Sequence, residues 1–435
     1  MRPFTLKQCI VVLILIHAIF FLLAIHFNSI YLSDSFEYLF QAENLHLHHS
    51  YYANEYALPL QEEYQTVRTP IYGLFIYLTQ WISTSHFWTL FIQNILSIST
   101  LTSLLYILKK NNTALDWKIL LSLILFPSQM IYSNMIMSEI VFQLILFWSF
   151  LFLWKYSMSK NLNQLLVYNL LLAAAVYTKP VMMYFWVINM FLMLYFFLQN
   201  RKISILLFAF ILPLSILLLC WRNFIVTDYF HFSYIKTNNL YNYNTEILLE
   251  YQYGASKADS ITDQWVSASK HLNFKERCEY LEEKSIAIIR SNWVYYLLLQ
   301  VRGMFRFFID PGRYDIVSFI PSLNSSSEIS FFGLLDQKGF KGITQYFNAV
   351  SIPFLAFLLL SSIWNVYTLF LFVKNLFNTK INFLLRSFAT IYIFYICFMS
   401  GPLGCSRFKL AIFPIFILII FFSTQHLKNS THKAL

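Results

Sequence analysis

The chain has 435 residues, of which 58% are hydrophobic, 20% aromatic and 12% charged, with a mean hydropathy of +0.56. A soluble globular domain carries about 25% charged residues, so this composition excludes a soluble enzyme and indicates an integral membrane protein with many spans. The formal net charge of +10 is no nucleic-acid signature, because most Lys and Arg fall in short connectors between apolar runs, and five cysteines without a C-x-x-C or His/Cys cluster exclude a disulfide framework and a zinc site.

The first apolar run, 8–27, follows Arg2 and Lys7 and reads as a signal anchor. Leu23-Ala24-Ile25-His26 makes a poor cleavage site. Just beyond it stands Tyr31-Leu32-Ser33-Asp34-Ser35-Phe36-Glu37-Tyr38. Asp34, Glu37 and Tyr38 share one face of a helix. One reading makes Asp34 an N-cap with Glu37 closing a capping box. The other makes it part of a site, because charge close to hydrocarbon is costly and usually functional. His46, His48 and His49 have poor helical ligand spacing and read as a solvated loop rather than a metal site.

Arg68 precedes Thr69-Pro70, where proline opens the apolar segment 70–83. At about 14 residues this segment suits an interfacial helix better than a span, which needs about 20. Charge parity agrees. If 70–83 does not cross, the basic connectors Lys109-Lys110, Lys155 and Lys160, Arg201-Lys202, Lys374 to Arg386, and Lys428 and Lys433 all fall on the cytoplasmic side. Further runs lie near 86–108, 118–134, 139–155, 163–178, 180–198, 203–221, 348–373, 385–402 and 408–425. The expected fold is therefore all-α, a polytopic membrane protein of about ten transmembrane helices with outward-facing juxtamembrane helices and both termini cytoplasmic. It divides into 1–221 with a first outer loop at 28–85, a large outer loop at 222–347, and C-terminal spans at 348–435. Within the large loop, 275–309 reads as a helix along the membrane surface.

Charges left on the outer face include Asp34, Glu37, Glu62, Glu63, Arg68, Glu139, Lys179, Arg222 and Arg407, along with those of the large loop. Each has a plain reading. Glu139 begins a span, where the helix dipole favours an acid, and Lys179 or Arg222 can snorkel to headgroups. Together, four cations and a few acids predict a phosphate clamp beside a general base.

The order of these motifs resembles the GT-C class of membrane glycosyltransferases, and most closely the protein O-mannosyltransferase and lipid A aminoarabinose transferase group. The acidic motif after the first span is matched by Asp34 with Tyr38. Arg68-Thr69-Pro70-Ile71-Tyr72 matches an R/K-x-P-x-Y element. The stretch from Pro127 to Ser133 followed by Glu139 matches a Pro/Tyr-Ser run before an acid. A basic-Pro pair is matched by Lys179-Pro180, and an Arg-Asn pair by Arg222-Asn223. Arg407-Phe408-Lys409-Leu410 with Pro414 matches the terminal motif. Asp34 is followed by Ser35 rather than Glu, the second acid is Glu rather than Asp, and no soluble carbohydrate-binding domain follows the last span.

The resemblance implies a GT-C-like fold in a bacterial inner membrane, with the site facing outward. It implies a sugar on polyprenyl phosphate as donor and a lipid, glycan or protein hydroxyl as acceptor. Asp34 would be the base and Glu139 a second catalytic acid. Glu37, Tyr38, Arg68, Tyr72, Lys179, Arg222 and Arg407 would bind substrate or phosphate. A divalent metal between Asp34 and Glu139 is compatible with the residues, and nothing in the sequence requires one. Two other readings stay open. A transporter or flippase for lipid-linked sugars would show an internal repeat and charges at mid-membrane depth. An O-antigen polymerase or ligase would rest on arginines of the large loop.

Overall fold

The long apolar runs become helices, and two runs that carry a proline break. The computed structural model describes residues 3–326 and 338–422, and among these the regular structure is helical throughout. Arg2, Lys428 and Lys433, on which part of the expected topology rests, lie outside the described residues.

Helix α1 (Leu6–Phe27) starts with a reciprocal cap. The Gln8 amide N–H donates to Thr5 Oγ1 at 3.2 Å, and the Thr5 N–H to Gln8 Oε1 at 2.8 Å. This satisfies two N–H groups that a helix start leaves open. The helix ends at Asn28, whose φ of 50° is left-handed, a conformation Asn tolerates. Then come α2 (Ser33–His48), α3 (Glu62–Thr66) and α4 (Pro70–Gln80), before the long α5 (His86–Lys110). Helix α4 has 11 residues, about 16 Å at 1.5 Å per residue, against a hydrocarbon core of about 30 Å.

The expected span 118–134 is two short helices, α6 (Trp117–Ile124) and α7 (Ser128–Tyr132). Pro127 causes the break, since the residue before a proline is pushed out of the α region. The chain from Ser133 to Ser138 then runs irregular and buried. Buried irregular backbone needs partners, and α5 supplies them. Gln93 Nε2 donates to Met135 O at 2.8 Å, and Asn94 Nδ2 to Ser133 O at 3.1 Å. This segment delivers the start of α8 (Glu139–Ser159). Next are α9 (Leu162–Thr178), α10 (Phe185–Asn200), and α11 (Ile203–Ala209) with α12 (Ile211–Thr227), which form one stretch.

The segment expected as the large outer loop holds α13 (Ile235–Asn238), α14 (Glu246–Tyr253), α15 (Ala255–Ala268), α16 (Phe274–Ser291), α17 (Trp293–Ile309) and α18 (Arg313–Phe319). The single helix expected over 275–309 is thus two, parted at Asn292. One face of α17 buries Leu299, Gly303 and Phe307, while Trp293, Leu297, Leu298, Val301 and Phe305 stay exposed. Gly303 lies against the turn at 401–404. A Cβ there would sit 2.2 Å from Gly401 O, so only glycine permits the approach.

After α19 (Phe340–Ala349), α20 (Ile352–Leu376) and α21 (Phe383–Met399), the expected span 408–425 is again divided among the described residues. It forms α22 (Ser406–Leu410) and α23 (Phe413–Phe421), with Pro414 in the first turn of the latter. Among the described residues, five helical stretches are long and apolar enough to cross a membrane: Leu6–Phe27, His86–Lys110, Glu139–Ser159, Ile203–Thr227 and Ile352–Leu376. Three more, Leu162–Thr178, Phe185–Asn200 and Phe383–Met399, are apolar but shorter. The chain is a helical protein with the marks of membrane insertion.

A buried polar ladder crosses the helices. His17 Nε2 meets Ser97 Oγ at 2.8 Å, and Gln129 Nε2 donates to the same oxygen at 2.8 Å. Gln129 and Gln143 exchange amide bonds at 2.9 and 2.8 Å. Gln143 Nε2 donates to Leu410 O at 2.7 Å. Such groups are costly in an apolar interior unless paired, so the ladder fixes how α1, α5, α7, α8 and α22 meet.

Candidate functional site

Asp34 is not the cap of α2. Leu32 is the N-cap residue, and its N–H donates to Ser35 Oγ at 2.8 Å. Asp34, in the first turn, turns its carboxylate to two arginines. Arg68 Nη2 donates to Oδ1 at 2.7 Å and Arg407 Nη2 to Oδ2 at 2.8 Å. Arg68 Nε also donates to Glu37 Oε2, the acid one turn further along α2. Arg68 sits just before α4, whose N-terminal Thr69-Pro70 turn sets its direction.

From the other side, Glu139 accepts two bonds on one oxygen, from Arg407 Nε at 2.6 Å and Lys179 Nζ at 2.8 Å. Its Oε2 is buried without a partner among the described residues. The result is one chain of alternating sign, Lys179–Glu139–Arg407–Asp34–Arg68–Glu37. Six of the seven charged residues expected in the site are therefore in one place, while Glu63 of the wider outward-facing set pairs instead with Arg277. They come from α2, the α3–α4 connector, the head of α8, the α9 end and α22. Three cations balance three acids, so the group is internally neutralised.

Exposure decides which end a ligand can reach. Glu139 keeps 2% of its side-chain surface, whereas Asp34 and Glu37 keep 27% each. The open end is at α2. Burial pushes the Asp34 carboxyl up, but the Arg68 and Arg407 charges outweigh this and hold it below the ordinary carboxylate range. Glu37 goes the other way, raised because burial exceeds the pull of Arg68. Asp34 is thus a firmly ionised carboxylate whose basicity is held down by the two guanidinium groups beside it.

Aromatic rings line the chain. The Arg68 guanidinium lies 5.0 Å from the Tyr38 ring centroid, and Tyr38 meets Tyr72 edge-on at 4.7 Å. Tyr38 OH reaches Ser138 Oγ at 3.3 Å. Tyr72 is fully buried and donates to Gln93 Oε1 at 2.5 Å, so it supports Tyr38 and the 133–138 backbone instead of facing the open end.

Arg222 stands apart from the ion-pair chain. Its Nη1 donates to Gln65 O at 2.5 Å and Asn223 Oδ1 at 3.0 Å. It lines a cavity of about 190 Å³ with Tyr51, Thr66, Arg68, Pro70 and Phe232. Arg68 is common to both, so the cavity adjoins the acidic end. The expected clamp of four cations is three in the chain and one across Arg68.

A divalent metal does not fit between Asp34 and Glu139, because the Arg407 guanidinium lies between them and donates to both. Acids close enough for an ion occur elsewhere, with Glu246, Glu250 and Asp259 oxygens within 4.8 Å on α14 and α15. His46 and His48 pack beside Tyr77 and Tyr56 respectively. All five cysteines are free.

Sequence reasoning missed a second polar centre. Asp315 on α18 accepts from Ser128 Oγ at 2.6 Å, Tyr132 OH at 2.9 Å and Ser406 Oγ at 2.7 Å. Asp310 Oδ2 accepts the Ser406 N–H at 2.8 Å. The Tyr132 ring lies 5.8 Å from the Arg407 guanidinium, so this centre touches the ion-pair chain. Tyr132 stood within the quoted 127–133 run, while Asp315 had only a Pro-Gly turn before it as a signal. No family model, curated protein or solved structure matches the chain.

Proposed function

We propose that the chain is a membrane glycosyltransferase that moves a sugar from a polyprenyl-phosphate donor to an acceptor hydroxyl at the outer face of the membrane. The observation that carries this reading is the ion-pair chain through Asp34, in which a half-open carboxylate lies between two arginines next to a cavity holding a third.

The chemistry follows from that arrangement. The acceptor oxygen forms a bond to the anomeric carbon as its proton passes to Asp34. The bond from that carbon to the phosphate oxygen breaks, and the polyprenyl phosphate leaves with the electron pair. A single displacement inverts the anomeric centre. The leaving group is already a stable anion, so cations serve it better than an acid. Arg68 and Arg222 border the cavity that would take the phosphate, and arginine matches phosphate oxygens with two parallel donors. A phosphate that draws Arg68 away from Asp34 also restores the basicity of Asp34, coupling donor binding to proton acceptance. Lys179 and Arg407 hold Glu139 and the inner side of Asp34. The apolar helices would take the lipid tail.

The deciding experiment is transfer by the purified full chain in nanodiscs from polyprenyl-phosphate sugars, paired with mass spectrometry of cell-envelope glycans with and without the gene. Loss of one glycan with the gene, and transfer of the same sugar in vitro, is the expected result. Movement of the intact lipid-linked sugar across the bilayer without transfer would favour the transporter reading.

A further inference from the structure

Asp315 reaches the core from the outer segment, and its side chain is 2% exposed. Its two oxygens are taken up by three hydroxyls on two different elements, Ser128 and Tyr132 of α7 and Ser406 of α22. We propose that Asp315 is a positioning residue for Arg407, tying α7 to the head of α22 so that the guanidinium stays between Asp34 and Glu139. The link to catalysis rests on the glycosyl-transfer reading; the link to the place of Arg407 does not.

Three observations point the same way. Ser406 immediately precedes Arg407 and is held twice, its N–H by Asp310 and its hydroxyl by Asp315. Tyr132 is also held by Asp315, and its ring lies beside the Arg407 guanidinium. The turn that brings Asp315 in is built for the approach. Gly312 has φ of 79°, its N–H donates to Asp310 Oδ1 at 3.1 Å, and a Cβ there would lie 2.9 Å from Ser128 Oγ. A larger residue would be strained and would press on the serine that Asp315 must reach.

The three hydroxyls need a carboxylate and not merely a polar group. An ionised carboxylate is acceptor-only and offers about four lone-pair sites. An amide offers one acceptor oxygen and turns donors toward hydroxyls that already donate. Burial pushes the Asp315 carboxyl up to about 6, which leaves it mostly ionised at neutral pH.

The test uses the full chain in nanodiscs as parent, Asp315→Asn, Arg407→Lys and the double variant. The first measurement is the rate at which a maleimide labels Cys405, the N-cap residue of α22, read by mass spectrometry. The second is titration with a polyprenyl phosphate. Asp315→Asn is expected to raise Cys405 labelling and to weaken probe binding about tenfold. The double variant should bind no worse than the weaker single variant, a coupling of about tenfold. Tyr132→Phe keeps the ring and removes one hydroxyl, so it should give a smaller change in the same direction even if Asp315→Asn folds poorly. Parental Cys405 labelling in both Asp315→Asn and Tyr132→Phe, or losses that multiply in the double variant, would overturn the proposal. A parent that binds no polyprenyl phosphate overturns the glycosyl-transfer reading alone, and Cys405 labelling then decides the positioning role.

Discussion

Arg407 and Asp34 lie 373 positions apart in the chain and 2.8 Å apart in space. The same guanidinium also holds Glu139. One side chain from near the C-terminal end thus joins the acid after the first helix to the acid that opens α8. Removing it would leave the buried Glu139 and the partly exposed Asp34 short of a counter-charge, which is more costly than losing an exposed pair.

Asp34→Asn is expected to lower transfer by about 10²–10⁴-fold, the usual contribution of a general base, well beyond the loss of stability that follows from removing the charge shared by Arg68 and Arg407. The amide keeps the shape, and Ser35 still caps α2. Transfer rates beside thermal unfolding of the same preparations check this. Parental activity would remove Asp34 from the base role.

Arg407→Lys is expected to weaken donor use strongly, with Arg407→Ala worse. A single ammonium cannot copy the Nε and Nη2 fork that reaches Glu139 and Asp34 together. Donor titration in nanodiscs reads the effect. Parental donor dependence in both variants would mean that the tie from Arg407 to Glu139 and Asp34 does not shape donor use.

Stability should fall as pH rises through the Asp315 titration. The folded carboxyl lies at about 6, above its ordinary 3.8, so the folded state binds the proton more tightly. That contribution is complete below the unfolded value and is lost as pH passes about 6, worth about 3 kcal/mol at most. The parent should therefore lose stability relative to Asp315→Asn between pH 4 and about 7. Thermal unfolding of both across that range is the measurement, and a constant gap contradicts it. Asp34 has the opposite sign. Its lowered carboxyl stabilises the fold above the ordinary value, and this is lost as pH falls.

Gly303→Ala should destabilise the chain by about 1–3 kcal/mol, as overpacking does. The added methyl would meet Gly401 O at 2.2 Å and Pro402 backbone atoms at 2.9 Å, neither of which is a flexible side-chain end. Loss of detergent-resistant, monodisperse protein on heating would show it. An unchanged midpoint would mean that α17 can slide over the 401–404 turn.

If 70–83 does not cross, an impermeant thiol reagent applied outside should label Ser83→Cys and miss Asn111→Cys. The 11-residue length of α4 motivates this. Outside labelling at Asn111→Cys would refute the topology read from charge.

The helices were legible because hydropathy in this chain is extreme, and the charged residues were legible for the same reason. Asp34, Glu37, Arg68, Glu139, Lys179 and Arg407 stand out against apolar surroundings, and the structure brings them together. The breaks at Pro127 and before Pro414 were less so. A proline marks a weak point, but whether the freed backbone stays in place depends on distant amides such as Gln93 and Asn94. Asp315 was illegible, since its partners Ser128 and Tyr132 are 187 and 183 positions away and no local period points to them. The separation of Arg222 was hidden too, because its long-range acceptors, Gln65 O and Tyr51 O, are backbone carbonyls, which any sequence provides.

The amide ladder from His17 to Leu410 makes the first helix a ruler. His17 is pinned to Ser97, and Asp34 is pinned to Arg68 and Arg407, so the length of chain between these two anchors is gauged at both ends. One residue inserted between them would turn the helix beyond it by about 100° and advance it by about 1.5 Å. An insertion within α1 beyond His17 would have to be taken up by the 28–32 connector for both the histidine and the aspartate to stay seated. The N-terminal side of His17 is held as well, since the Phe4 N–H donates to Leu115 O at 2.7 Å.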